Sequence, residues 1–136
     1  MNVTLKRAQD NFIMALTLWR EDRGGTPEGR AAIAYVILNR VARQSWWGKN
    51  VLEVCTKKWQ FSSLTAPGDP QLVIWPSEAD SIWQDCLQAV ANALDGTLPN
   101  PIGRAVNYYD VSIKAPDWAT DDKFIAQIGR LRFYEA

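Results

Sequence analysis

The chain has 136 residues, enough for one domain with its own core, and with 47% hydrophobic and 22% charged residues it has an ordinary globular composition. Formal net charge is zero, but residues 1–60 hold ten Lys/Arg against five Asp/Glu and residues 61–136 hold the reverse. This bipolar pattern reads first as a solvated charged face and otherwise as help in holding a polyanion, and it lacks the concentrated basic stripe that nucleic-acid binding needs. There is no His, which excludes a histidine base, a Ser-His-Asp triad and most zinc sites; Cys55 and Cys86 have no CxxC spacing and read as small buried side chains. No metal or cofactor is expected.

The N-terminal stretch MNVTLKRAQDNF has no apolar h-region or cleavage site, and no apolar run approaches the ~20 residues of a membrane span. The expectation is a chain made in the cytoplasm and not inserted in a membrane. Residues 4–22 read as a helix with Phe12, Leu16 and Trp19 on one face, ended by Gly24 and Gly25. Thr26 suits an N-cap and Pro27 the first position of a second helix. That helix runs to about Gln44, with Ile33, Val36, Ile37 and Val41 at core spacing. A short helix is expected over 49–56. Residues 57–76 look irregular, with Pro67, Gly68, Pro70 and Pro76 as breakers. Ser77 with Asp80 resembles a capping box opening a helix to about Asp95. Two β-like pieces follow, AVNYYDV at 105–111 and IGRLRFYE at 128–135. The fold class is α+β, mostly helical, with a small late β-element; residues 1–136 form one domain.

Three stretches carry chemistry. Glu21 sits in the last turn of the first helix, where the partial negative charge of the helix end makes a carboxylate unwelcome. It is either a surface ion pair with Arg20 or Arg23, or an acid whose place is useful for glycoside cleavage, where the leaving oxygen needs a proton. The stretch KKWQFSSL at 57–64 reads as a strand with an apolar face or as a groove wall. In the second case Gln60 and Ser62 hydrogen-bond a sugar rim. The stretch NYYDVSIKAPDW at 107–118 puts Tyr108, Tyr109 and Trp118 in a polar, loop-rich setting. Of seven Trp residues, Trp46, Trp47, Trp59, Trp75 and Trp118 fall outside the long helices, where a groove or a small core can use them.

Three separated motifs, ALTLWREDRGGTPEGRAAIAYVILNRV, WQFSS and APDWA…IAQIGRLRFY, resemble the SleB-type cell wall hydrolases, which include spore-cortex-lytic enzymes and many small phage endolysins. The pattern E-A-R-G-E of that family falls on Glu21, Asp22, Arg23, Gly24 and Gly25, and its N-R-V on Asn39, Arg40 and Val41. Its G-Q-F-S falls on Trp59, Gln60, Phe61 and Ser62. Its I-G-N-H-x-F-Y falls on 128–134, with Arg130 and Leu131 in place of Asn and His. The resemblance implies a lysozyme-like fold and cleavage of the β-1,4 bond between N-acetylmuramic acid and N-acetylglucosamine. It implies Glu21 as the catalytic acid and Gln60, Ser62, Tyr108, Tyr109 and Trp118 as substrate-binding residues. Two-carboxylate glycosidases separate their carboxyls by about 5–5.5 or 6.5–9.5 Å; no second carboxylate stands out here. The family's single-Glu lytic transglycosylase chemistry needs none. The absence of a separate wall-binding module and of a leader fits a monomeric phage or prophage endolysin that depends on a holin-like partner and acts in the periplasm or on the wall. A catalytically inactive glycan-binding module is the alternative.

Overall fold

The computed structural model describes residues 4–136. Helix α1 (Leu5–Asp22) is capped by Thr4, whose hydroxyl accepts the Arg7 N–H. From Met14 to Arg20 it is buried on every side, the mark of a helix at the centre of a core. It packs against α2 (Pro27–Arg43), α3 (Val51–Cys55) and α5 (Ser81–Leu94). Phe12, expected on the core face, lies instead at the rim, 46% exposed, with its ring edge-on to Trp83. Helix α2 begins as its sequence implies: Thr26 Oγ1 accepts the Gly29 N–H, and Pro27 occupies the first turn, where its missing N–H costs nothing. Ile33, Val36 and Ile37 join Leu18, Cys86 and Val90 in the core. Burying such side chains is worth about 1.5–3 kcal/mol each, so the helical cluster is the platform from which the site hangs.

Three local expectations are corrected. Residues 57–61 form no strand. Trp59 turns outward at positive φ, Phe61 plunges into the core, and the chain enters the short helix α4 (Ser62–Thr65). The cap of α5 is Asp80 rather than Ser77. One Asp80 oxygen accepts the Ile82 and Trp83 N–H groups and the other accepts the Trp19 indole N–H at 3.1 Å. A carboxylate can serve several donors at once, so Asp80 starts α5 and ties it to α1 together.

The sheet has three antiparallel strands, not two. Strands β1 (Asn107–Asp110) and β2 (Phe124–Ile128) flank β3 (Leu131–Tyr134). The stretch 128–135 contains a hairpin turn with Gly129 at φ +57° before β3 begins. Strand β2 escaped notice because it has no clean in–out alternation; most of it is exposed. Cys55 and Cys86 are buried and unpaired, as expected. Among the described residues no helix is long and apolar enough to cross a membrane.

Candidate active site

Glu21 is held at both oxygens by hydroxyls from distant parts of the chain. Ser63 Oγ donates to Oε2 at 2.6 Å and the Tyr108 phenol donates to Oε1 at 2.8 Å. Neither neighbouring arginine pairs with it. Arg20 is buried and donates to the carbonyls of Ile74 and Ser63, both at 3.2 Å, with its guanidinium 4.6 Å from the Trp75 ring centre. It therefore fixes the backbone of the residue whose hydroxyl holds Glu21. Arg23 donates to Gln71 at 2.6 Å and stacks on Trp19.

The other hydroxyl is positioned from α2. Asn39 donates to the carbonyls of Gly103 and Ala105 at 2.9 and 2.8 Å. Arg40 Nε donates to the Val106 carbonyl at 2.7 Å and Nη2 reaches Asn107 Oδ1 at 3.3 Å. These bonds deliver the start of β1, and with it Tyr108. Burial draws the Arg40 pKa down to about 10, against the opposing pull of Tyr108, Cys55 and Glu21, so it stays a cation at neutral pH. Burial, followed by the charge and hydrogen bond of Glu21, pushes the Tyr108 phenol well above its usual range. Tyr108 is thus a neutral donor.

Two clefts meet at Glu21. The smaller, about 280 Å³, is lined by Arg40, Trp59, Gln60, Asn107, Tyr108 and Trp118 as well as Glu21 and Phe61. The larger, about 610 Å³, runs past Asp22, Arg23, Gly25, Asp110, Arg130 and Leu131. On β1, Tyr108 and Asp110 are two residues apart and share a face, so one strand serves both clefts.

The larger cleft explains the glycines after α1. Neither Gly24 nor Gly25 has a positive φ; what matters at position 25 is the missing side chain. A Cβ on Gly25 would lie 2.3 and 2.4 Å from the Asp22 carboxylate oxygens, and one on Gly29 would lie 2.9 Å from Oδ2. The family pattern has Ala at the position of Asp22 and Glu at that of Gly25. Here the carboxylate stands on the first of these positions and fills the space where a side chain at the second would begin. Buried Arg30 closes the turn by donating to the carbonyls of Asp22 and Gly25 at 3.2 and 3.1 Å. Burial raises the Asp22 pKa to about 6; Arg30 opposes the rise, while Asp110 and Glu21 add to it. At the other departure, Arg130 forms an ion pair with Asp110 at 3.3 Å and Leu131 is buried.

Of the residues singled out from sequence, Gln60, Tyr108 and Trp118 line the smaller cleft with Glu21. Tyr109 does not; it sits behind Trp118, edge to face, and stacks with Tyr134. Ser62 is exposed at the start of α4 and lines neither cleft. Its neighbour Ser63, together with Arg40 and Asn107, was missed as a site residue; the N-R-V motif was the only pointer to Arg40. Among the described residues no cluster of three or more potential metal ligands occurs.

The sequence profile of the cell wall hydrolase family matches residues 24–134. The fold is similar to the catalytic domain of the germination-specific lytic transglycosylase SleB from Bacillus anthracis, with 27% identity over 98% of each chain and a TM-score of 0.71. It is also similar to the catalytic domain of the Bacillus cereus SleB protein, with 29% identity over 94% of this chain and 91% of that one and a TM-score of 0.72. No curated protein sequence gave a significant match. A helical platform with a three-stranded sheet like that of the SleB catalytic domains and a profile match over residues 24–134 together establish that the chain belongs to the cell wall hydrolase family.

Proposed function

We propose that this peptidoglycan-lytic enzyme cleaves the β-1,4 bond between N-acetylmuramic acid and N-acetylglucosamine as a lytic transglycosylase, with Glu21 as its one acid–base group. The observation that carries the reading is the seat of Glu21 at the meeting of two clefts, each oxygen on a hydroxyl. Glu21 gives its proton to the glycosidic oxygen as the bond from C1 to that oxygen breaks. The substrate's own acetamido group stabilises the cationic C1. The muramyl 6-hydroxyl then attacks C1, closes the anhydro ring and returns its proton to Glu21. A hydroxyl can donate or accept, so Ser63 keeps its bond to Glu21 in both protonation states by turning its O–H. Gln60 and Asn107 offer amides to acetamido groups, Tyr108 holds Glu21 in place through Oε1, and Trp118 lines the wall, braced from behind by Tyr109.

Purified protein incubated with isolated peptidoglycan should release muropeptides with anhydro-muramyl ends, read by mass spectrometry. Reducing ends on muramic acid would replace transglycosylation by hydrolysis, with Asp22 and Asp110, which line the larger cleft with Glu21, as candidates for a second carboxylate. No soluble products from material that still binds would favour the inactive glycan-binding reading. We also infer a single-domain, monomeric phage or prophage endolysin that reaches the wall with the help of a holin-like partner. The two SleB catalytic domains, which match nearly the whole chain, support the one-domain part of that reading, and the endolysin part rests on the motif resemblance alone. Expressed in a Gram-negative host, it should lyse cells only when a membrane-permeabilising protein is co-expressed.

A further inference from the structure

We infer that Trp59 is a sugar-stacking subsite that grips an N-acetylated pyranose of the glycan strand beside the scissile bond. The backbone of Trp59 has φ +70°, a left-handed conformation that is a genuine outlier for a bulky residue and natural for glycine. Glycine is what the family pattern carries before Gln-Phe-Ser; this chain has Trp there and bears the strain.

Burial among the described residues recovers little of that cost. The Trp59 side chain is 80% exposed, and its indole N–H donates to no acceptor among the described residues. Strain that packing does not recover points to function. The residue lines the same cleft as Glu21, Gln60, Tyr108 and a second indole, Trp118. Lys58 Nζ lies 5.1 Å from its ring centre, a cation–π contact that limits the indole's freedom. An exposed aromatic face beside the amide groups of Gln60 and Asn107 matches an acetamido sugar: the apolar face of the pyranose on the ring, the acetamido group on the amides.

The inference rests on the smaller cleft being a glycan site, and its test separates the two claims. Wild type, Trp59→Gly and Trp59→Phe are compared for binding to peptide-free glycan strands by co-sedimentation and for melting temperature. Trp59→Gly should bind about threefold to tenfold more weakly, while Trp59→Phe keeps most of the affinity. Its melting temperature should hold or rise by about 2–5 °C, because glycine adopts this conformation freely. Equal binding by wild type and Trp59→Gly would overturn the inference, as would a weaker affinity accompanied by a fall in melting temperature, which would make Trp59 a structural residue. Product release from whole peptidoglycan is measured separately. A wild type that binds strands in a Trp59-dependent way but releases nothing would overturn the lytic reading and leave the subsite standing.

Discussion

On the Trp59 side of Glu21 the cleft is walled by two indoles, two amides and a phenol, with the Arg40 cation fixed by the Val106 carbonyl and Asn107. On the Asp22 side the wall is ionic: Asp22, Arg23, Asp110 and Arg130 around a glycine-lined turn. The first surface suits uncharged sugar rings, whose binding changes little with salt or pH. The second suits charged groups, and its own charges respond to both. Glu21 belongs to both clefts, and its fixed partners, Ser63 and Tyr108, come from neither of the two charged turns. Under the proposed function the contrast separates three jobs among neighbouring residues: cleavage at Glu21, sugar affinity on the aromatic side, and pH response on the ionic side.

The largest effect should come from the junction. Glu21→Gln should lower wall-lytic activity by about 100- to 10,000-fold and leave strand binding in place; retention of most activity would break the assignment. Next are the two hydroxyls. Tyr108→Phe and Ser63→Ala each remove one hydrogen bond that places Glu21, worth about 0.5–3 kcal/mol, so kcat should fall about twofold to a hundredfold with KM little changed. A rise in KM for Tyr108→Phe instead would place that phenol on the substrate and blur the division between junction and aromatic wall.

The smallest effect sharpens the ionic side. The Asp22 proton is held in the folded state up to about pH 6, against a reference value of 3.8. Between those values the folded form binds more protons than the unfolded form, so stability falls as pH rises from about 4 to 6 and stays lower above. The cause is burial first, with Asp110 and Glu21 reinforcing it and Arg30 and Arg130 opposing it. Asp22→Asn mimics the protonated form. Urea unfolding should show it more stable than wild type at pH 7 and nearly equal at pH 4; equal stability at both would mean that solvent reaches Asp22 freely.

Helices α1, α2 and α5 were legible because local rules govern them: apolar spacing, Thr26 with Pro27, and glycine after the last turn. Glu21 stood out because a carboxylate at a helix C-terminus is locally unfavourable and because the family motif falls on it. Its partners were not legible, because Ser63 and Tyr108 are 42 and 87 residues away and nothing local marks a hydroxyl as theirs. Of the two readings of 57–64, strand or groove wall, the strand failed for a similar reason: alternation of Trp59 and Phe61 is real, but no neighbouring strand is there to pair with it, and Trp59 and Gln60 line the cleft instead. Gly25 looked like a helix stop, and only the position of Asp22 shows that it is a space.

The middle strand of the sheet, β3, is also the last element in chain order. Strand β1 pairs only with β3, and the Val106 N–H donates to the Tyr134 carbonyl. Until residues 131–134 are synthesised, β1 has no strand partner, and the start of β1 is held only by the bonds from Asn39 and Arg40 of α2. The chain therefore carries Glu21 well before it carries β3, and a chain cut short before Leu131 lacks the strand that completes the seat of Tyr108 beside Glu21.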